Sequence, residues 1–171
     1  MKLLALFDRR DYDPAWPVFE RYAVRAVILR ENKIALVRSA AAGYYKFPGG
    51  GTESGESHVD ALIRETLEET GLRLLPSSIA EFGEIVEKRK STVNEGEIFL
   101  QHSYYYTAET DGTVSAQKLD AYEAEAGFIL EWAAPAAAIE TNLRLAERGG
   151  PSFLAREAHA LALVERSLSP S

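Results

Sequence analysis

The first third of the chain carries the hydrophobic pattern of β-strands. Residues 22–30 (YAVRAVILR) alternate polar and apolar positions and then become continuously apolar, which is typical of a buried strand. A polar turn at 31–33 leads into a second apolar run at 34–38, and the two runs predict a β-hairpin. A short aromatic strand is predicted at 44–47, and it ends at Pro48.

Helical spacing begins after the glycine run at 49–51. Ser57 and Asp60 form a capping-box-like pair, and Gly71 is the expected C-terminal glycine, so the helix is predicted between Ser57 and Gly71. One face of this helix is mostly apolar, with residues at helical spacing: Val59, Leu62, Ile63, Thr66, Leu67 and Thr70.

The remainder of the chain mixes predicted strands and helices. Strands are predicted at 79–89, 97–108 and 127–133, and helices rich in Ala, Leu and Glu at 135–148 and 152–167. Mixed strands with three helices predict a layered α/β domain, and the early hairpin favours a mixed sheet over a parallel one.

The length fits one domain. A chain of 171 residues is long enough for one full core, so a single domain is predicted over residues 1–171, with its core over about residues 20–168. No apolar run reaches the roughly 20 residues that span a bilayer, and the short apolar start turns charged at once. The sequence therefore predicts a cytoplasmic protein with no membrane partner.

Charge and cysteine content narrow the chemistry. Acidic residues outnumber basic ones by 26 to 19, which argues against a broad basic surface for a nucleic acid polymer. The chain has no Cys, and its three His residues lie far apart in sequence, so thiolate chemistry and Cys-based zinc sites are excluded. Any metal is expected to be a hard ion held by oxygen, Mg²⁺ or Mn²⁺.

Three carboxylates share one patch of the predicted helix. Glu65, Glu68 and Glu69 are spaced i, i+3, i+4, where like charges weaken an isolated helix. A divalent cation would offset this repulsion, and the glycine run before the helix offers backbone groups to a metal or an anion. Arg64 is placed to pair with Glu56 or to reach a phosphate. An ordinary solvated helix face is the competing interpretation, but a triple glycine rarely precedes one.

This stretch resembles the 23-residue box of the Nudix hydrolases, MutT-like proteins whose motif is Gly, five residues, Glu, seven residues, Arg-Glu-U-x-Glu-Glu-x-Gly-U, with U bulky and apolar. Residues 50–72 match it with Gly50, Glu56 and the run Arg64 to Leu72, and the preceding Phe47-Pro48-Gly49 is similar to the family's lead-in. The single departure is Thr66, where an aliphatic residue is usual.

The resemblance implies a Nudix α/β/α sandwich and a role for each residue of the box. Glu65, Glu68 and Glu69 would bind a divalent metal, usually Mg²⁺, with help from the carbonyl of Gly49. The positions of Glu56 and Arg64 match a pair that supports the loop and orients the metal-binding helix. The implied reaction is hydrolysis of a phosphoanhydride in a nucleoside diphosphate-linked or nucleoside triphosphate substrate.

The resemblance also implies a general base, which in many members of the family is a further acid from a later loop. Glu125 is preferred for its distance from Trp132, with Glu123 as its near alternative and Glu95 or Glu97 as weaker ones.

Four residues are candidates for substrate binding. Tyr45 and Phe47 lie just before the glycine run and could stack on a base, although Phe47 also fits a core position. Arg25 and Arg38 carry charge on predicted strands, where an inward-facing guanidinium could grip a phosphate. A solvated outer face is the alternative for both.

The partner is expected to be a small nucleotide-type molecule, and a homodimer is left open. Pro76 comes too early to match the signature of the family's ADP-ribose hydrolases, and the run typical of its NADH-cleaving members is missing. A nucleoside triphosphate is therefore favoured. The alternative function is a Nudix-fold sensor without turnover, whose usual mark, loss of the box glutamates, is not found here.

Overall fold

The structure is a computed structural model that describes residues 1–168, so residues 169–171 of the predicted domain lie outside it. Its strands are β1 (Leu3–Asp8), β2 (Val18–Val27), β3 (Leu29–Arg30), β4 (Lys33–Ser39), β5 (Tyr45–Lys46), β6 (Leu72–Leu74), β7 (Ala80–Lys90), β8 (Ile98–Thr107), β9 (Thr110–Val114) and β10 (Phe128–Ala133). Its α-helices are α1 (His58–Thr70), α2 (Ala121–Ala126), α3 (Pro135–Glu147) and α4 (Leu154–Leu168).

A four-stranded mixed sheet is the largest element of the fold. Its order is β1-β7-β8-β2, with β7 and β8 antiparallel and the two outer strands parallel to their neighbours. The predicted mixed sheet in an α/β fold is therefore confirmed. Strands β2 and β8 run side by side in register, which places Arg25 opposite Tyr105.

A second, antiparallel sheet has the order β10-β4-β3, with β5 also pairing with β4. Here the predicted strand over 22–30 is wrong as a single element, because its first part belongs to the four-stranded sheet and only β3 forms the hairpin with β4. Ile28, 1% exposed, lies at the break. The chain remains buried as it passes between sheets, so its apolar pattern continues without marking the change of partner.

Helix α1 covers one face of the four-stranded sheet. Its Ala61 and Leu62 pack against Val24 and Ala26 of β2, and both ends form as predicted. The Ser57 side chain accepts from the Asp60 N–H, and Gly71 ends the helix in the left-handed conformation with φ +73°.

Helices α3 and α4 cover the other side of the molecule and pack against each other. Leu161 and Val164 of α4 join Val27, Ile34 and Ile85 in the core between the two sheets. Within residues 1–168, none of the helices has the length and apolar content required to cross a bilayer. Most of the predicted site residues lie on β2, β5, α1 and the loop between β5 and α1.

Candidate active site

The glycine run that precedes α1 packs directly against both β2 and the helix. A Cβ at Gly49 would lie 2.1 Å from the Val24 carbonyl oxygen, and φ there is +132°, so only glycine fits. A Cβ at Gly50 would lie 2.2 Å from Glu65 Oε2. Because Gly49 and Gly50 leave no space for side chains, the backbone approaches α1 closely enough for the Gly49 N–H to reach Glu69.

Glu69 is the most enclosed carboxylate of the box, with 1% of its surface exposed. Its Oε2 accepts from the Gly49 N–H at 2.8 Å, and its Oε1 accepts from Lys46 Nζ at 2.5 Å. Burial raises the pKa of the Glu69 carboxyl to about 7, against the opposing effect of the Lys46 ammonium. The ionised form therefore depends on nearby positive charge.

Arg64 forms the ion pair that the resemblance implied. Its Nε and Nη2 each donate to one oxygen of Glu56 at 2.8 Å, and its Nη1 donates to Glu65 Oε1 at 2.7 Å. The hydrogen bonds from Arg64 lower the pKa of the Glu56 carboxyl to about 2. Arg64 thereby links the glycine-rich loop to Glu65 and fixes the direction of that carboxylate.

Glu68 lies on the outer side of the box. It is 38% exposed, and its Oε2 is 3.3 Å from Arg64 Nη1. It shares the Arg64 Nη1 donor with Glu65, but it is not one of the three carboxylates that converge in the described structure, and its role as a metal ligand stays a prediction.

The third carboxylate of the cluster comes from α2. Glu65, Glu69 and Glu123 each place a carboxylate oxygen within 4.8 Å of those of the other two. The Glu123 carboxylate also takes part in the capping box of α2, where its Oε2 accepts from the Asp120 N–H at 3.0 Å. Three oxygen donors of this kind fit a hard divalent ion such as Mg²⁺ or Mn²⁺.

The structure places Glu123, and not the preferred Glu125, in the cavity lining. Two residues along a helix turn a side chain by about 200°, so Glu125 is exposed on the side of α2 away from the cavity, while Glu123 lines it. Glu95 lies in the β7–β8 loop and Glu97 lies at its end, and neither lines the cavity. The Glu97 carboxylate accepts a hydrogen bond from the Asn94 side chain.

A cavity of about 320 Å³ opens in front of the three carboxylates. Arg21 and Arg25 of β2 line it together with the glycine-rich loop. Arg25 is 6% exposed and donates to the Val24 and Gly49 carbonyls, while its Nε has no protein partner within the described residues. The Gly49 carbonyl, a predicted metal ligand, thus already accepts from a guanidinium.

Arg25 is the one predicted substrate-binding residue that lines the cavity. Arg38 is 39% exposed and lies 3.7 Å from Glu131, and the Tyr45 hydroxyl donates to the same carboxylate at 2.8 Å, both outside the cavity lining. Phe47 is 0% exposed and packs edge-on against Tyr105, so a base cannot stack on it.

Strand alternation explains these corrections. Successive side chains of a strand point to opposite faces, so Tyr44 and Lys46 line the cavity while Tyr45 and Phe47 do not. The period-2 pattern over 44–47 was therefore the signal that could have identified Lys46.

Helix α4 contributes charge as well as packing. Arg156, 4% exposed, donates to Glu87 Oε2 at 2.7 Å, and the neighbouring Glu157 accepts from the Phe47 N–H at 3.0 Å. The sequence predicts this helix but does not single out these two residues, because nothing in an Ala- and Leu-rich pattern shows that a charged residue is buried.

Comparison with known proteins agrees with this geometry. Residues 20–155 match the NUDIX domain family. The chain belongs to the Nudix hydrolase family. The expected class, a hydrolase that acts on phosphoanhydrides, is confirmed with it.

Two curated relatives show how far the likeness extends. The CTP pyrophosphohydrolase of Escherichia coli is 34% identical over 128 residues, which are 72% of this chain and 83% of that protein. The uncharacterized Nudix hydrolase YvcI of Bacillus subtilis is 33% identical over 84 residues, which are 48% of this chain. The latter match spans only 53% of the Bacillus subtilis protein's length.

The fold is shared with a solved structure. A NUDIX hydrolase from Nitrosomonas europaea superposes with a TM-score of 0.58 at 22% identity, covering 90% of this chain and 98% of that one. The expected Nudix fold is confirmed.

Proposed function

We propose that this protein is an Mg²⁺-dependent nucleotide pyrophosphohydrolase that cleaves a phosphoanhydride bond, with Mn²⁺ as an alternative ion. One observation carries the proposal: a single cavity is lined by three convergent carboxylates and by two arginines. The carboxylates are those of Glu65, Glu69 and Glu123, and the arginines are Arg21 and Arg25. An anionic phosphate substrate is bound by positive charge, which the arginines supply directly and the carboxylates supply through a bound cation.

The carboxylates would hold the ion. When bound, a divalent metal neutralises phosphate charge and lowers the pKa of a bound water so that it can attack phosphorus. Glu123 is the only one of the three that comes from a separate, short helix, and we assign to it the general-base role that the sequence left open among four acids. Glu56 and Arg64 would act by positioning Glu65.

The arginines would bind the phosphates. Arg21 and Arg25 are four residues apart on β2, so both side chains are on the same face of the strand. The unpartnered Nε of the buried Arg25 is a hydrogen-bond donor that a phosphate oxygen would satisfy.

Other groups in the cavity lining are suited to a base. Phe99 lines the cavity, and the Arg89 guanidinium lies 4.3 Å from the Phe99 ring centroid. Gln101, 3% exposed, offers an amide from the same strand. A flat ring with a hydrogen-bonding edge matches such groups. Together with the activity named for the Escherichia coli relative, this favours a nucleoside triphosphate as substrate.

A substrate panel tests the proposal. Nucleoside triphosphates, nucleotide sugars, ADP-ribose and dinucleoside polyphosphates would each be incubated with the protein and Mg²⁺. The products, nucleoside monophosphates included, would be separated by chromatography and measured. We expect turnover of at least one nucleoside triphosphate, beginning with CTP. Glu131→Gln, which changes a carboxylate outside the cavity, is the control and should retain that turnover. Binding of a nucleotide with no hydrolysis of any compound would contradict the proposal and favour the sensor.

A further inference from the structure

Lys46 is placed among the carboxylates of the active site. It is 16% exposed, and its Nζ lies 2.5 Å from Glu69 Oε1 and 4.6 Å from the centroid of the Phe128 ring. Glu69 is one of the three carboxylates that converge in the cavity. The ammonium therefore contacts one of the three carboxylates that would hold a cation.

The other cations nearby have different partners. Arg64 is bound in two places by Glu56 and also donates to Glu65, a second member of the cluster. Arg25 donates to the carbonyls of Val24 and Gly49. Lys46 is the cation that forms an ion pair with Glu69. A carboxylate as buried as Glu69 is unfavourable in its charged form without such a partner.

The backbone that carries Lys46 is held in place on both sides. The side-chain amide of Asn142, on α3, accepts from the Tyr45 N–H at 2.9 Å and donates to the Tyr45 carbonyl at 2.8 Å. Glu157, on α4, accepts from the Phe47 N–H at 3.0 Å. Lys46 can thus leave Glu69 only by rotating its flexible four-carbon side chain, and the cavity that it lines provides the space.

We propose that Lys46 is a built-in counter-ion that competes with the divalent ion for the carboxylate cluster. When no divalent ion is bound, the ion pair with Lys46 holds the Glu69 carboxylate in position, and the ion displaces the ammonium on binding. The identity of the cluster as a metal site rests on the proposed function, but the role of Lys46 is a statement about metal affinity and not about hydrolysis.

Calorimetric titration with Mn²⁺ and Mg²⁺, without nucleotide, tests this role. The natural protein would be compared with Lys46→Met, which removes the charge, and Lys46→Arg, which keeps it, with Lys33→Met on the exposed end of β4 as a matched control. The titration is run at about pH 8.5, so that proton uptake by the carboxylates competes little with the ion.

We expect Lys46→Met to bind the ion at least about fivefold more tightly, because the competing ammonium is gone. Lys46→Arg and Lys33→Met should remain within about twofold of the natural protein. Without an ion, Lys46→Met should also unfold at a lower temperature than the natural protein and gain more from added Mn²⁺.

Unchanged or weaker ion binding by a folded Lys46→Met would overturn the role of Lys46, as would no ion binding by the natural protein. If Lys46→Met does not fold without the ion, Lys46→Gln is measured in its place by the same criteria. A protein that binds the ion more tightly after Lys46→Met but hydrolyses no nucleotide would support the counter-ion while contradicting the proposed function.

Discussion

Burial sets Glu69 apart from the other carboxylates of its helix. It is 1% exposed, whereas Glu68, one residue earlier, has 38% of its side chain exposed. The difference arises because the glycine-rich loop and β5 close over one side of α1 only. At the scale of single residues, the site is therefore defined by which face of each element its side chains occupy.

The two acids of α2 give a matched test of that principle. Glu123→Gln should lower turnover by about 100-fold or more, because it removes the carboxylate that meets Glu65 and Glu69. Glu125→Gln, exposed on the same helix, should change turnover by less than about twofold. Steady-state kinetics with Mg²⁺ measures both, and a large loss in Glu125→Gln with little in Glu123→Gln would reverse the assignment.

The Glu56–Arg64 pair predicts a dependence of stability on pH. Because the folded-state pKa of Glu56, about 2, lies below its ordinary value of 4.5, its ionised form stabilises the fold above about pH 4.5. This contribution is lost as the pH falls from about 4.5 towards 2.

Glu56→Gln should therefore be less stable than the natural protein at pH 7 by about 1–2 kcal/mol, and the difference should shrink on acidification. Urea unfolding at a series of pH values measures this, with the exposed Glu109→Gln as control. A difference in unfolding free energy that stays constant down to about pH 3 would show that the pair does not form.

At the scale of secondary-structure elements, two adjacent glycines in the loop before α1 pack against different neighbours. Gly49→Ala would meet the backbone of β2 at a positive φ, whereas Gly50→Ala would meet only the movable end of Glu65. We expect Gly49→Ala to lower the melting temperature clearly.

Gly50→Ala should instead keep nearly the natural melting temperature and lose turnover, because Glu65 is displaced. Thermal unfolding and kinetics on the same samples separate the two effects. Equal melting temperatures for both variants would contradict the packing of this loop.

The cap and the box of α1 could be predicted from the sequence because both depend on local spacing. Ser57, Gly71 and the i, i+3, i+4 glutamates are all decided within one helix. The course of residues 22–30 could not be predicted in this way, since the break at Ile28 depends on pairing with β8, about 80 residues away. Strand β1 was missed for the same reason, because its partner is β7.

The cavity is a property of the whole molecule. Its walls come from β2, β8, the glycine-rich loop, α2 and α4, so Arg21, Glu123 and Arg156 meet only after the two sheets and both helical regions have packed. Sequence patterns identified Glu65, Glu69 and Arg25, which lie on well-marked elements. The sequence patterns did not identify Arg156 or Glu157, since a buried charged residue does not change the hydrophobic periodicity of its helix.

In the folded molecule, part of the excess of acidic residues is concentrated in the cavity. The chain carries 26 acidic and 19 basic residues, and three of the acids converge in the cavity opposite Arg21 and Arg25. Under the proposed function, an acidic protein would bind a phosphate-rich substrate through a cation held by these carboxylates, without a broad basic surface.

Reversal of chelation tests the central claim most directly. The rate of pyrophosphate release from CTP, or from whichever nucleotide of the panel reacts fastest, would be measured with Mg²⁺, after excess EDTA, and after Mg²⁺ is restored, for the natural protein and for Glu69→Gln. The account predicts hydrolysis that stops with EDTA and returns with Mg²⁺ in the natural protein, and a rate in Glu69→Gln lowered by about 100-fold or more. Hydrolysis that continues in EDTA, or that proceeds at the natural rate in Glu69→Gln, would contradict it.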